Sequence, residues 1–179
     1  MKQSHKIAYG GMMTAFSLLI MLASNFIPSL LFAFPAAAGI VIYTLSFVSG
    51  HGYGWISFAA VALLSLFLCT DKTVAVCFIL FLGYYPLLKK TVEKLRSKVL
   101  TYLIKLLAFN AAAACSYALL TFVFSVQVFT KWLSAAWMVV PLIIGLNFVF
   151  LLYDFCLTLF FRKYEEKIYN LVTKLLRRF

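Results

Sequence analysis

Long apolar stretches, almost free of charge, alternate with three basic clusters, and few folds are open to a chain patterned this way. Fourteen of the 16 Lys and Arg lie in those clusters: Lys2 and Lys6 at the start; Lys89, Lys90, Lys94, Arg96, Lys98 and Lys105 in the middle; Arg162, Lys163, Lys167, Lys174, Arg177 and Arg178 at the end. Lys and Arg accumulate in the cytoplasmic loops of membrane proteins. The pattern predicts an integral membrane protein with its N-terminus, central loop and C-terminus on the cytoplasmic side. Only Lys72 and Lys131 fall elsewhere.

Composition supports this reading. With 65% hydrophobic and 12% charged residues, 179 residues cannot cover a water-soluble globule with polar surface. The net charge of +11 would suit nucleic acid, but here the basic residues flank apolar runs instead of lining one soluble face. Anionic membrane lipid is the better partner for them, and no nucleic-acid role is expected.

A spanning helix needs about 20 apolar residues. The breakers divide the chain into six such runs: Ile7 to Ile27, Leu30 to Val48, Trp55 to Leu68, Thr73 to Leu88, Val99 to Phe124 and Leu133 to Phe161. The first is 21 residues long, longer than a signal-peptide core, and is expected to be retained. Pro28 ends it, Pro35 interrupts the second, three glycines at 50, 52 and 54 predict a turn, and Gly83-Tyr84-Tyr85-Pro86 predicts a kink in the fourth. The fold class is therefore an all-α membrane protein of six transmembrane helices, residues 1–161.

Residues 162–179 read as a second element. Tyr164, Ile168, Leu171, Val172, Leu175 and Phe179 share one helical face opposite Lys163, Lys167, Lys174 and Arg178, which predicts an amphipathic helix in the inner interface. The alternative is that the tail simply continues the sixth span.

No catalytic constellation is visible, and enzymatic activity is not expected. The five acidic residues, Asp71, Glu93, Asp154, Glu165 and Glu166, form no paired-carboxylate motif, and no phosphate-cradling glycine loop or nucleophile elbow occurs. The four cysteines stand singly in apolar runs, and His5 and His51 are isolated, so neither a metal site nor a cofactor follows.

Two sets of residues are candidates for binding. Gly10, Gly11, Thr14 and Ala15 put small side chains at helical spacing on the first span, which lets another helix approach closely. That helix belongs either to a partner or to this protein. Polar and aromatic groups in the outer half, Asn25, Ser29, Asp71, Lys72, Trp132 and Trp137, with Asn147 nearer the midplane, suit a small amphipathic ligand entering from outside. For Asp71 and Lys72 the alternative is ordinary solvation of a loop end. Lys105 and Asp154 enter adjacent spans at similar depth and are expected to pair, directly or through a hydroxyl such as Tyr153. Otherwise Lys105 snorkels to the interface and Asp154 meets Arg162 or Lys163.

This arrangement, with KIAYGGMMTAF at positions 6 to 16, resembles the S components of energy-coupling factor (ECF) vitamin transporters. The resemblance implies a substrate-binding subunit of a bacterial plasma-membrane uptake system that captures a vitamin-like solute. Gly11 and Ala15 would dock on a transmembrane coupling subunit that works with separate ATPases. It further implies a solute site at Asn25, Ser29, Asp71, Lys72, Trp132, Trp137 and Asn147. The rival reading is a non-transporting membrane scaffold similar to the rod-shape-determining membrane proteins.

Overall fold

A computed structural model describes residues 3–27, 30, 32–93, 97–123 and 136–176, with side chains described up to Lys163 except at 98 and 136–139. Every regular element among these residues is helical. α1 (Gln3–Ala23), α2 (Ala33–Ser49) and α3 (His51–Leu68) pack on one another as a trio in which α1 and α3 run parallel, Thr14 meeting Ser57 and Met21 meeting Cys69. α4 (Lys72–Cys77) runs into a π-helical turn (Phe78–Leu82) and, after a break at Gly83 and Tyr84, into α5 (Tyr85–Val92). α6 (Lys98–Ala118) ends in a second π-helical turn (Leu119–Val123), and α7 is Ala136–Leu176.

Five stretches are long and apolar enough to cross a membrane: Gln3–Ala23, His51–Leu68, Lys72–Val92, Val99–Val123 and Val140–Lys163. These are the features of a multi-pass membrane protein. α2 is equally apolar but has only 17 residues, about 26 Å at 1.5 Å per residue, against a hydrocarbon core of about 30 Å.

Several expected boundaries move. Pro35 does not interrupt α2: it sits in the first turn, where a backbone N–H would have no partner inside the helix. Of the three glycines read as a turn, only Gly50 leaves the helices, with φ of 116°. Gly54 instead lies inside α3 at a close contact, where a Cβ would stand 2.6 Å from Ser46 Cβ and 3.0 Å from Leu87 Cδ2. The third run thereby gains its first turn and reaches 18 residues. The fourth run is interrupted at Gly83 and Tyr84, after a π turn, but helix resumes through Val92, so Lys89 and Lys90 belong to α5 and not to a loop.

The backbone stays helical across 161 and 162, giving α7 41 residues and about 60 Å of length. No Gly or Pro lies between Gly145 and Leu176 to stop it. As backbone the tail runs on from the last helix to Leu176, and the side chains of its expected amphipathic face lie outside the described residues.

Two cores hold the bundle. Met21, Ile42, Val61, Val74 and Phe78 pack between α1 and the start of the π turn. Tyr43, Tyr85, Phe109, Phe150, Leu157 and Phe161 form an aromatic core joining α2, α5, α6 and α7. Within it Phe109 and Phe150 stack at 4.6 Å between centroids and 9° between planes. Where lipid is as apolar as the side chains, such packing and interhelical hydrogen bonds drive association.

Candidate functional site

The aromatic core abuts a cluster of charge. Asp154 of α7 accepts from Tyr85 Oη at 2.6 Å and from Lys89 Nζ at 2.5 Å, both through Oδ1, and from Lys105 Nζ at 3.2 Å through each of its carboxylate oxygens. Lys89 also donates to the Asp154 carbonyl at 2.7 Å and to Thr158 Oγ1 at 2.6 Å. Glu93 closes the cluster, 2.8 Å from Lys105 Nζ and 3.5 Å from Lys89 Nζ. Lys89, Lys105 and Asp154 are only 1%, 3% and 7% exposed, whereas the Glu93 side chain is 44% exposed. Two ammonium groups and two carboxylates leave no net charge, and each lysine has three acceptors for its three protons. This satisfies the condition under which buried charge is tolerated.

The local sequence explains how one short helix supplies three members. Tyr85, Lys89 and Glu93 recur every four residues and so share a face of α5, with Glu93 as its C-cap, while Pro86 in the first turn sets the helix going. The expected Lys105–Asp154 pair is present. The two meet directly, and the hydroxyl bonded to Asp154 is that of Tyr85 and not that of Tyr153, whose Oη has no hydrogen-bond partner among the described residues. Sequence reading missed Lys89 and Glu93 because it ended the fourth run at Leu88 and gave both to a solvated loop. The i, i+4 spacing of Tyr85, Lys89 and Glu93 was the available signal.

The outer-half candidates divide. Asn25, Asp71 and Lys72 come together at the far end of the bundle, but their polar atoms are used on the backbone. Asn25 accepts from Thr70 N–H at 3.0 Å, Asp71 accepts from Thr73 N–H at 2.8 Å and caps α4, and Lys72 Nζ donates to the carbonyls of Leu66 and Cys69 at 2.8 and 2.9 Å. A cation on the last carbonyls of α3 and a carboxylate at the start of α4 both suit the helix dipoles. Asn147 faces Asn110 of α6 in a reciprocal amide pair, with N···O distances of 3.0 and 3.2 Å. Their remaining N–H groups go to the Leu106 and Ile143 carbonyls at 2.9 Å each, so both carboxamides have spent all their donors. Ser29, Trp132 and the side chain of Trp137 lie outside the described residues.

The four small residues of α1 also divide. Gly10 is buried, and Thr14 Oγ1 lies 2.7 Å from both the Gly10 carbonyl and Ser57 Oγ of α3, so this half of the motif packs internally. Gly11 and Ala15, each one residue further round the helix, are exposed.

Comparison with protein-family models, with curated proteins and with solved structures gives no match for this chain.

Proposed function

We propose that the chain is the solute-binding membrane subunit of an uptake system of the ECF type, with six spans including α2, in a bacterial plasma membrane. In this reading the end carrying Lys90, Lys105 and Lys163 faces the cytoplasm together with both termini. The basic residues beyond Phe161 meet anionic lipid of the inner leaflet. A small vitamin-like solute enters from the opposite end, and the chain itself carries out no catalytic step.

One observation carries the reading: α7 is closed in at one end and open at the other. From Phe150 to Phe161 it contributes Phe150, Asp154, Leu157 and Phe161 to buried packing. From Val140 to Val149 no residue is buried, and Ile144, Phe148 and Val149 are each more than 60% exposed. A last helix that is packed in its cytoplasmic half and carries no buried residue between Val140 and Val149, beside tightly packed outer ends of α1, α3 and α4, suits capture of a solute from outside next to α7. Because Asn25, Asp71 and Lys72 are engaged in capping, the solute would rely on apolar and aromatic contact. The amide oxygens of Asn110 and Asn147 would add acceptors.

Docking on a coupling subunit falls to the outward strip of α1. Gly11 and Ala15 present little bulk there, as close helix contact requires.

A thermal-shift screen of the purified protein against water-soluble vitamins tests the solute half, and at least one compound should raise the melting temperature. Co-purification with a coupling subunit tests the other half: Gly11→Leu with Ala15→Leu should abolish it while the variant stays folded. No stabilising compound together with unaffected co-purification would sink the proposal and leave the scaffold reading.

A further inference from the structure

The four ion pairs of the buried cluster form a square, and the way the square divides is informative. Lys89 and Glu93 are both on α5, while Lys105 and Asp154 are on α6 and α7. Two pairs cross the boundary between α5 and the other helices, Lys89 to Asp154 at 2.5 Å and Lys105 to Glu93 at 2.8 Å. The other two stay on their own sides, Lys89 to Glu93 at 3.5 Å and Lys105 to Asp154 at 3.2 Å. Separating α5 from α6 and α7 therefore leaves one neutral pair on each side. No charge is stranded in the membrane, which would be the main cost of pulling apart an ordinary buried pair.

The backbone leading into α5 is weakened at the same place. The π turn brings Gly83 N–H onto the Phe78 carbonyl at 2.8 Å. Pro86 has no N–H with which to continue the helical pattern to the Leu82 carbonyl four residues back. That carbonyl lies against Gly39 of α2, where a Cβ would collide with it. A π turn followed by a proline is a recognised place for a helix to bend. At the other end of α5, Glu93 is already half in water, and the long stem of Lys89 lets its ammonium follow.

We propose that α5 is a movable segment with two stable positions, and that Asp154 is the catch that holds it closed against α6 and α7 at the basic end. Tyr85 and Lys89 are its two grips on the catch. In the closed position the four charges form the square; in the open one each pair closes on itself and the basic end is unsealed. The inference goes beyond the solute-binding reading and stands whether or not a solute is found.

The test uses the full-length protein in lipid nanodiscs, with Cys69, Cys77, Cys115 and Cys156 replaced by Ala. A single reporter cysteine is placed at Val92, a buried α5 residue whose carbonyl accepts from Thr101 Oγ1 of α6, or at Tyr9, buried on α1. With Asp154→Asn, the rate of reaction of the Val92 reporter with a water-soluble maleimide should rise on the order of tenfold, as the local opening equilibrium shifts. The Tyr9 reporter should not change, and Asp154→Glu should restore slow labelling. Tyr85→Phe removes one grip and should give a smaller rise at the Val92 reporter, an arm that remains readable if Asp154→Asn fails to fold. Equal acceleration at both reporters would show general loosening and overturn the proposal. So would an unchanged rate at the Val92 reporter.

Discussion

Lys105 of α6 and Asp154 of α7 meet in two-pronged fashion, with the ammonium nitrogen 3.2 Å from each carboxylate oxygen and both residues almost fully buried. Removing one partner of such a pair leaves an uncompensated charge and typically costs about 3 to 5 kcal/mol. Asp154→Asn leaves two lysines to share Glu93 as their one remaining carboxylate, whereas Lys105→Met leaves Asp154 with Lys89 and Tyr85. Asp154→Asn should therefore be the more damaging change. In a double-mutant cycle on thermal stability in detergent, the two substitutions should couple by more than about 0.5 kcal/mol. Additive effects would mean that the contact contributes nothing.

The amide pair of Asn110 and Asn147 predicts a different asymmetry. Changing either residue alone to Leu leaves the other carboxamide with an unmet donor and acceptor inside a spanning stretch, at a cost of about 1 to 3 kcal/mol. Replacing both removes the need for partners, so the double variant should be more stable than at least one of the single variants. A double variant losing the sum of the two single losses would count against a closed pair.

Glycines with different surroundings give a paired test. Gly39→Ala forces a Cβ into the Leu82 carbonyl, backbone that cannot swing aside, and should lower the melting temperature. Gly145→Ala on α7 meets nothing within 4 Å and should be neutral, or stabilising by up to about 1 kcal/mol through better helix propensity. Equal effects at the two positions would contradict the close approach of α2 to the π turn.

Topology is checked by labelling in intact cells. On a background lacking native cysteines, a cysteine at position 72 should react with a membrane-impermeant reagent, and one at position 94 only after permeabilisation. Reaction at 94 in intact cells would invert the proposed orientation.

The sequence by itself determined the class of protein, because apolar run length and the placement of Lys and Arg are read by the bilayer before tertiary contacts form. The helix interruption before Pro86 and the pairing of Lys105 with Asp154 were legible there too. Proline lacks a donor wherever it stands, and two opposite charges at matching depth have few other partners. What the tertiary structure decided was how each polar group is used. Asp71 and Lys72 read equally well as solute ligands or loop-end groups, and Asn25 reads as a solute ligand; only the packing of α1, α3 and α4 shows all three bonded to backbone groups. Gly54 looks like a turn residue in one dimension and is a contact point between α3, Ser46 and Leu87 in three. Lys89 looked solvated because one basic residue in a basic cluster resembles the next. Its burial depends on Asp154, 65 positions away, which no local pattern can reveal.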